Sequence, residues 1–437
     1  MALLHVSSPN NPNLSWALNK NPQTILASGK PFQKPLRKGQ LYGWFTGIST
    51  FTLWFRDAPT ETSFATGAKE GFEYLDYTRY GHPYLAVQMI ETGLRDASVK
   101  PNEHDIPGSD GAHVQVRYLL TSTKVGLLEA LQRMLPNNFL FFTTGAGNHR
   151  IMTFGETVSE ALQLMVACCA LLAMKEDFYF PLNQESLAKY LKIFNRIGAP
   201  YFLMHLFSTF AITTREVFES FKHEGLLGGP DKPFELQYGS TQQQRHASIK
   251  GWLSGEGLGL IDIGCGELYH SSRLASKYEL VLAYDADEEQ AARSTKSAAK
   301  KNLTSINVFH REVTAPWVVE NTHLFDGADV LLSEVLEHME KPDAAHLMSA
   351  IMTAGARRIV ITVPNGSFNK NFPLEDPDRP RHWDHKWEPT AQEWKDFVVG
   401  LGEVTHTLLH NTNEGDRVGD DAVFFVTVFE AKTAVSE

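Results

Sequence analysis

The chain has 437 residues, 43% of them hydrophobic and 21% charged, a globular composition long enough for two domains, each with its own core. The whole net charge of −11 lies in residues 241–437, which have 19 Lys and Arg against 30 Asp and Glu. Residues 1–240 have 21 basic and 21 acidic residues and are therefore neutral. This distribution argues against a broad, non-specific nucleic-acid footprint, which needs a basic face, but it permits recognition of one chain end.

The N-terminal part predicts an α+β domain over residues 1–235. Residues 41–55 are rich in aromatic and β-branched residues and predict a β-hairpin, and helical patterns fall at 83–93, 127–134, 158–174 and 184–194. The longest apolar run, 164–174, is too short to span a bilayer and predicts a buried helix without membrane association. A Gly- and Pro-rich linker at 226–233 ends this domain.

Cysteine usage and the N-terminus predict a cytoplasmic protein. Cys168, Cys169 and Cys265 have neither disulfide nor metal-site spacing, which indicates a reducing compartment. Residues 1–10 do not combine a basic stretch with an apolar run, so we expect no signal peptide.

The C-terminal part, residues 236–437, predicts a parallel, doubly wound α/β sheet. A helix over 241–253 leads into strands at 258–263, 280–284, 306–309, 329–332 and 358–363, with helical patterns between them. Two further strands, 403–409 and 422–429, are close enough to form a hairpin at the sheet edge. This layout resembles the seven-stranded architecture of S-adenosylmethionine-dependent methyltransferases.

A glycine turn follows the first strand of this sheet. In Asp262-x-Gly264-x-Gly266, the glycines allow close approach of a ligand, and the next helix presents free N–H groups. Asp262 is placed to meet the amino-acid end of a cofactor. Asp285 closes the second strand about twenty residues later, where an acid binds ribose hydroxyls. The alternative for the glycine motif is a plain strand-to-helix turn. The alternative for Asp285 is a helix N-cap, in which case Asp287 is the rival ribose ligand.

Glu334, Glu337 and His338 stand at i, i+3 and i+4 directly after the fourth strand. On a helix, this spacing places the three side chains on one face, where two carboxylates and an imidazole suit Mg²⁺ or Mn²⁺. The carboxyl edge of open α/β sheets is where active sites lie. The alternative is a helix with an exposed acidic face.

Two other segments are expected at the same edge. His385 lies in a polar loop after the fifth strand and is the candidate fourth ligand, although His382 and His385 each also fit a solvated loop. Glu312 lies just past the third strand and is either an adenine contact or a solvated residue. The Pro364-Asn365 turn is either an ordinary strand exit or part of the substrate cleft.

Together these residues resemble the RNA 3′-terminal ribose 2′-O-methyltransferase family, which includes the small-RNA 3′-end methyltransferases of eukaryotes and bacterial RNA-repair methyltransferases. The family signature stands here as Glu-Val-Leu-Glu-His at 334–338, Thr-Val-Pro-Asn at 362–365 and Asp-His-Lys-Trp-Glu at 384–388. The resemblance covers approximately residues 240–430. Two positions depart from it: Leu268 replaces a glycine, and Pro389 stands where the family commonly has Trp.

The resemblance implies transfer of a methyl group from S-adenosylmethionine to the 2′-hydroxyl of a 3′-terminal RNA ribose with a free 2′,3′-diol, in RNA repair or 3′-end protection. It implies four metal ligands for Mg²⁺ or Mn²⁺, with a proton acceptor at His338 or His385, and a cofactor site. The implied ligands are Glu334, Glu337, His338 and His385, and the implied cofactor residues are Asp262, Gly264, Gly266 and Asp285. Glu312 is added as a candidate cofactor residue from its position alone.

The N-terminal part is similar to the N-terminal domain of the bacterial members, in stretches 14–22, 74–94 and 180–194. That similarity implies activation of the ligase of a partner polynucleotide kinase-phosphatase-ligase. Basic residues near the last signature segment either hold terminal phosphates or form a solvated loop: Lys370, Arg379, Arg381 and Lys386. Two other functions remain open, a small-molecule methyltransferase and a subunit that mainly activates an RNA ligase.

Overall fold

In the computed structural model, the chain divides into two compact units, Met1–Leu226 and Leu227–Glu437. The structure describes residues 2–432 except 10, 12, 23–29, 38, 57–80, 107–113, 122–123, 146, 176–182, 229–232, 377 and 403–404. The division precedes the predicted boundary at 235, because a short strand at Phe234–Glu235 pairs with the C-terminal sheet. Parts of the predicted linker and of the stretches 74–94, 180–194 and 403–409 lie outside the described residues.

The N-terminal unit contains an antiparallel sheet in the order β2-β3-β4-β1-β5-β7-β6. The predicted hairpin at 41–55 is confirmed as β3 and β4, which pair directly. The strands are β1 (Ala2–Ser7), β2 (Phe32–Leu36), β3 (Gly39–Gly47), β4 (Thr50–Arg56), β5 (Val114–Thr121), β6 (Phe139–Gly145) and β7 (Asn148–Gly155).

Helices complete this unit and confirm the four predicted helical patterns. The helices are α1 (Leu14–Ala17), α2 (Pro83–Gly93), α3 (Arg95–Val99), α4 (Val125–Met134), α5 (Val158–Lys175), α6 (Gln184–Arg196), α7 (Tyr201–Ala211) and α8 (Arg215–His223). Asp105 caps α5, because its carboxylate accepts hydrogen bonds from the backbone N–H groups of Val158 and Ser159.

Helix α5 forms the core of the N-terminal unit, where it packs against α2, β5 and β7. Among the described residues it is the one helix that is long and apolar enough to cross a membrane, with 18 residues and a mean hydropathy of 1.5. However, 83% of it is buried inside the protein, as in the core helix of a globular domain.

The C-terminal unit confirms the predicted doubly wound α/β sheet. Its strand order is β11-β10-β9-β12-β13-β15-β14-β8, in which β9 to β13 are parallel and β14 and β15 form the predicted antiparallel hairpin. The strands are β8 (Phe234–Glu235), β9 (Leu260–Ile263), β10 (Val281–Asp285), β11 (Ile306–His310), β12 (Asp329–Ser333), β13 (Arg358–Pro364), β14 (His406–Val418) and β15 (Asp421–Ala431). The two-residue β8 is an addition to the seven predicted strands.

Helices connect the parallel strands, and the first of them begins with a capping box of Ser240 and Gln243. The helices are α9 (Thr241–Trp252), α10 (Ser271–Leu274), α11 (Glu288–Lys300), α12 (Ala315–Glu320), α13 (Thr322–Phe325), α14 (Lys341–Thr353) and α15 (Ala391–Leu401). Ser333 at the end of β12 lies opposite Thr362 of β13, so the segments that follow these strands begin at the same sheet edge.

Candidate active site

The segment after β12 is a 3₁₀ turn over Leu336–His338 rather than the predicted helix. Glu334 has a φ of +56°, a left-handed conformation that costs an L-residue roughly 1–2 kcal/mol. The chain turns sharply here because β12 ends at Ser333, and α14 begins only at Lys341. The turn still brings Glu337 and His338 to the carboxyl edge of the sheet, but not by the helical geometry that their spacing suggested.

The Glu337 side chain is fully buried, with 0% of its surface exposed. Neither of its carboxylate oxygens has a hydrogen-bond partner within the described part of the chain. Burial raises the pKa of Glu337 well above its ordinary value, and the nearby Glu334 carboxylate raises it further. Two buried acceptors without donors are costly to fold, so this site is built to receive a proton or a cation.

His338 and His385 complete a cluster around Glu337. Their ring centroids lie 4.6 Å apart, and one ligand atom from each of Glu337, His338 and His385 lies within 4.8 Å of the others. The segment 382–385 offers a second such group, His382, Asp384 and His385. The structure therefore brings three of the four predicted metal ligands together, and a carboxylate with two imidazoles fits a divalent ion.

Both imidazole rings are held through Nδ1 by carboxylates. The Nδ1 atom of His338 lies 2.9 Å from Asp384, and that of His385 lies 2.5 Å from Glu388. Burial alone would raise the pKa of Glu388, but hydrogen bonds from His385 and Asn369 outweigh it and lower the pKa. Nε2 is therefore the nitrogen that each ring has available for a ligand, the arrangement that metal-binding histidines commonly have.

Glu334, the remaining predicted ligand, lies outside the three-residue cluster. Its carboxylate pairs with Arg245 at 3.2 Å and accepts a 3.4 Å hydrogen bond from the Thr362 hydroxyl. A carboxylate next to the buried Glu337 is stabilised by a cation, and Arg245 of α9 supplies it. No sequence signal pointed to Arg245, because the pair joins segments far apart in the chain.

Trp387 connects the two histidine segments. Its indole N–H donates to the carbonyl oxygens of Leu336 and Met339 at 3.1 and 3.0 Å, and the Lys386 N–H donates to the Glu337 carbonyl at 2.7 Å. Trp387 and Glu388 stand in the last signature segment, so the sequence marked these positions without indicating what they contact.

The glycine turn lies beside this cluster. Gly264 has a φ of +70°, and a Cβ there would lie 2.6 Å from Val335, so only glycine fits against the 334–338 segment. Gly266 has a φ of +49° and donates its N–H to Asp285 at 2.8 Å. Leu268, at the position where the family commonly has glycine, also adopts a positive φ of +59°. The turn thus keeps a glycine-like backbone despite the substitution.

The acidic residues predicted for the cofactor differ in their surroundings. Asp285 accepts from the N–H groups of Gly266 and Asp287, whereas Asp287 is the N-cap of α11 and accepts from Gln290. Asp262 is only 2% exposed and accepts a hydrogen bond from the Ser271 hydroxyl. Burial raises the pKa of Asp262 to about 7. This placement favours support of the turn over direct contact with a cofactor.

Two predicted residues stand away from these contacts. Glu312 follows β11 and is exposed. Asn365 is buried and binds the C-terminal hairpin, because its side chain donates to the Ala422 carbonyl at 2.8 Å. Asn365 is therefore a structural link between β13 and β15 rather than a residue of an open cleft.

The predicted phosphate-binding residues fall into two groups. Arg381 is an internal contact, because its guanidinium donates to Asn369 and to the Asn365 carbonyl. These contacts use the Nε and Nη2 atoms of Arg381, so part of its guanidinium supports the loop, and its contact with a phosphate stays a prediction. Lys370 and Arg379 are exposed by 62% and 81% and form surface ion pairs. They line a cleft of about 490 Å³, together with Lys341 and Trp387.

Comparisons with known proteins establish the family. The Hen1 N-terminal domain family matches residues 3–225, which is half of the chain. The chain belongs to the Hen1 family. Among curated proteins, none matches this Hen1-family chain.

Solved structures with the same fold cover both units. A chain in the structure of the Pnkp1/Rnl/Hen1 RNA repair complex is 21% identical with a TM-score of 0.73, and covers 98% of this chain and 100% of its own. A second structure of the Pnkp1/Rnl/Hen1 complex gives 20% identity, a TM-score of 0.73 and the same coverage. The methyltransferase domain of bacterial CtHen1 is 20% identical with a TM-score of 0.38, and covers 44% of this chain and 100% of its own. The two structures of the repair complex therefore share the fold of this Hen1-family chain over both of its units.

Proposed function

We propose that this Hen1-family protein transfers a methyl group from S-adenosylmethionine to the 2′-hydroxyl of the 3′-terminal ribose of RNA, in a metal-dependent reaction. The observation that carries the proposal is the buried Glu337 carboxylate, without a hydrogen-bond partner in the described part of the chain, beside His338 and His385. A carboxylate in this state is costly to fold unless a cation binds it. The cluster also adjoins the glycine turn, where a methyl donor is expected.

Glu337, His338 and His385 would hold Mg²⁺ or Mn²⁺, with Glu334 as a fourth ligand if its ion pair with Arg245 opens. When bound, such an ion supplies Lewis-acid activation of a ribose hydroxyl. Gly264, Gly266 and Asp285 would hold the cofactor. In support, Asp285 organises the turn through the Gly266 N–H and closes the second strand of the sheet, where an acidic residue commonly binds ribose hydroxyls.

The histidines also define where a proton is able to go. Asp384 and Glu388 occupy Nδ1 of His338 and His385, so Nε2 is the nitrogen left on each ring. That nitrogen either ligates an ion or accepts the proton of the 2′-hydroxyl, but it does not do both at once. The carboxylates fix the ring orientation for either role.

The charge of the site predicts its end specificity. A 3′-phosphate would place negative charge beside Glu337 and Glu334, so a free 2′,3′-diol is the preferred end. DNA lacks the nucleophilic hydroxyl. The exposed Lys370 and Arg379 of the 490 Å³ cleft would contact the phosphates of the preceding nucleotides.

Methyl transfer to short single-stranded RNA tests the proposal. We expect labelled methyl from S-adenosylmethionine on RNA with a free 3′ end in Mn²⁺, and none after chelation or on a 3′-phosphate. Glu337→Gln should abolish transfer, whereas Glu340→Gln, at an exposed position three residues later, should retain it. Activity that is indifferent to chelator and RNA would instead identify a small-molecule methyltransferase.

The N-terminal unit supports a second role. The similar chain of the repair complex assembles with Pnkp1 and Rnl, and we propose that residues 3–225 of this protein bind and activate an equivalent RNA ligase. Co-elution of the full chain with a polynucleotide kinase-phosphatase-ligase, and faster ligation in its presence, are the expected results. A ligase whose rate is unchanged by saturating chain would contradict this role.

A further inference from the structure

The strands of the N-terminal sheet contain basic residues but no Asp or Glu. This holds for all seven strands, β1 to β7, and the basic residues include His5, Arg117 and Arg150. The chain between residues 1 and 240 is neutral as a whole, so its acidic residues lie elsewhere in this unit. A sheet with only positive charge attracts anions.

Strand register places these basic residues on one face with aromatic ones. In antiparallel pairs, residues directly opposite each other have their side chains on the same face. His5 lies opposite both Arg117 and Thr52, and Leu119 lies opposite Arg150. Cross-strand neighbours form two rows on this face. The first row contains Trp44, Thr52, His5, Arg117 and Met152. The second row contains Tyr42, Trp54 and Leu3 on one side and Leu119 and Arg150 on the other.

A pocket of about 320 Å³ opens on this face. It is lined by Leu3, His5, Arg117, Tyr118, Leu119 and Arg150. The Nε atom of Arg117 is buried and has no hydrogen-bond partner in the described part of the chain, while its Nη2 donates to Ser7 at 3.3 Å. A buried guanidinium N–H without an acceptor indicates that the pocket is built for one.

The two guanidinium groups act on the histidine between them. Burial lowers the pKa of His5, and the charges of Arg117 and Arg150 lower it further. The Nδ1 atom of His5 is occupied by a 2.9 Å hydrogen bond with Thr52. None of the described residues that line the pocket carries a carboxylate, so an external anion is the group that would offset these charges.

Aromatic rings continue the face beyond the pocket. Tyr42 and Trp54 have ring centroids 5.2 Å apart, and Trp44 meets Trp54 edge-on at 6.4 Å. These three side chains are partly exposed. Partly exposed aromatic rings beside arginines are the combination that binds single-stranded nucleic acid, through stacking on bases and charge on phosphates.

We propose that this face of the N-terminal sheet binds single-stranded RNA, with a backbone phosphate between Arg117 and Arg150 and bases against the aromatic rings. The planar guanidinium forks match a phosphate, and the rings give the surface a preference for a nucleic acid over an acidic peptide. The site goes beyond the proposed methyl transfer and rests on it only for RNA as the polymer.

Fluorescence anisotropy on the full chain tests this site separately from catalysis. The probe is a labelled twelve-nucleotide single-stranded RNA ending in a 3′-phosphate, an end that the methyl-transfer site should disfavour. We expect Arg117→Gln with Arg150→Gln to weaken binding at least tenfold at low salt. The slope of log K against log salt should fall by about 0.7, for the loss of one phosphate contact on a single strand.

Controls separate the local site from folding and from general charge. Arg215→Gln, on the exposed first residue of α8, removes one charge elsewhere in the same unit and should leave binding within twofold. Arg150→Gln alone, at an exposed position, should weaken binding even if the Arg117 variant does not fold. Paired arginine-to-lysine variants should restore part of the affinity.

Two results would overturn the assignment. One is binding by the double glutamine variant within twofold of wild type, with an unchanged salt slope. The other is competition by oligo-glutamate, or by inorganic phosphate alone, as effective as competition by unlabelled RNA. Methyl transfer to RNA with a free 3′ end measures the proposed catalytic site in the C-terminal unit, whereas the anisotropy measures RNA binding by the N-terminal sheet. Failure of one proposal is therefore distinguishable from failure of the other.

Discussion

Glu337 is the site residue whose buried carboxylate most requires a proton or a ligand from outside the described part of the chain. A buried carboxylate with two acceptor oxygens and no donor among the described residues destabilises the fold on its own, and its pKa is raised well above normal by burial and by Glu334. Its neighbours His338 and His385 are oriented by carboxylates rather than by Glu337 itself. This environment favours the uptake of a proton or a cation by Glu337, because either would offset the cost of the buried charge.

Glu337→Gln should make the chelated protein more stable by about 1–3 kcal/mol, because a neutral amide is less costly to bury than an unpaired carboxylate. In urea unfolding with chelator, the variant midpoint should lie above that of wild type. Mn²⁺ at one hundred times its dissociation constant should stabilise wild type by about 2.7 kcal/mol and the variant hardly at all. A variant that is less stable in chelator and still stabilised by Mn²⁺ would contradict this reading of the site.

At the scale of elements, the site is a junction of three loops at one sheet edge, and the contacts between loops fix its shape. The 3₁₀ turn at Leu336–His338 is held by the indole of Trp387, and Gly264 leaves room for Val335 between the cofactor turn and this segment. Neither contact lies within one element, so the rigidity of the site depends on long-range packing.

Trp387→Phe should keep the ring but lose both hydrogen bonds to the 3₁₀ turn, which costs about 1–2 kcal/mol. Because the turn carries Glu337 and His338, we expect Mn²⁺ affinity, measured by calorimetry, to fall about tenfold or more. Trp394→Phe is the matched control, since its indole N–H donates to Thr427 at 2.9 Å in the core. Equal losses of Mn²⁺ affinity in the two variants would show that Trp387 has no special role in the site.

The strands and the sheet edge could be predicted from the sequence, because an apolar run bounded by turn residues forms a strand for reasons that lie within that short stretch. It did not predict the conformation of 334–338, since the i, i+3, i+4 spacing fits a helix as well as the observed turn with Glu334 at positive φ. The Arg245–Glu334 ion pair and the internal hydrogen bonds of Arg381 were also missed. Both depend on tertiary contacts between distant segments, which no local pattern records.

At the scale of the whole molecule, the two units have separate cores and different charge. The C-terminal unit carries buried neutral histidines in addition to the candidate ligands. Burial lowers the pKa of His270 to about 3. Burial also lowers the pKa of His406, whose ring is hydrogen-bonded to the Ala356 carbonyl. These side chains connect the stability of this unit to pH.

The C-terminal unit should lose stability as the pH falls below about 6.5. The unfolded chain protonates its histidines near pH 6.5, whereas folded His270 stays neutral until about pH 3. Stability contributed by neutral His270 is therefore complete above pH 6.5 and declines as the pH falls through this window. His270→Gln should flatten the pH dependence of the unfolding midpoint between pH 7 and 5. An unchanged slope would show that His270 does not contribute to it.

The central claim is that methyl transfer goes to the 2′-hydroxyl of the 3′-terminal ribose, and periodate sensitivity of the product tests it most directly. Periodate cleaves a free 2′,3′-diol to a dialdehyde, and β-elimination then removes the oxidised nucleoside. RNA incubated with the protein, S-adenosylmethionine and Mn²⁺ should resist this treatment and keep its terminal nucleoside. Resistance should be absent with chelator or with Glu337→Gln. Methyl label on RNA whose end remains fully sensitive to periodate would contradict the account, because the methyl group would then lie on another atom.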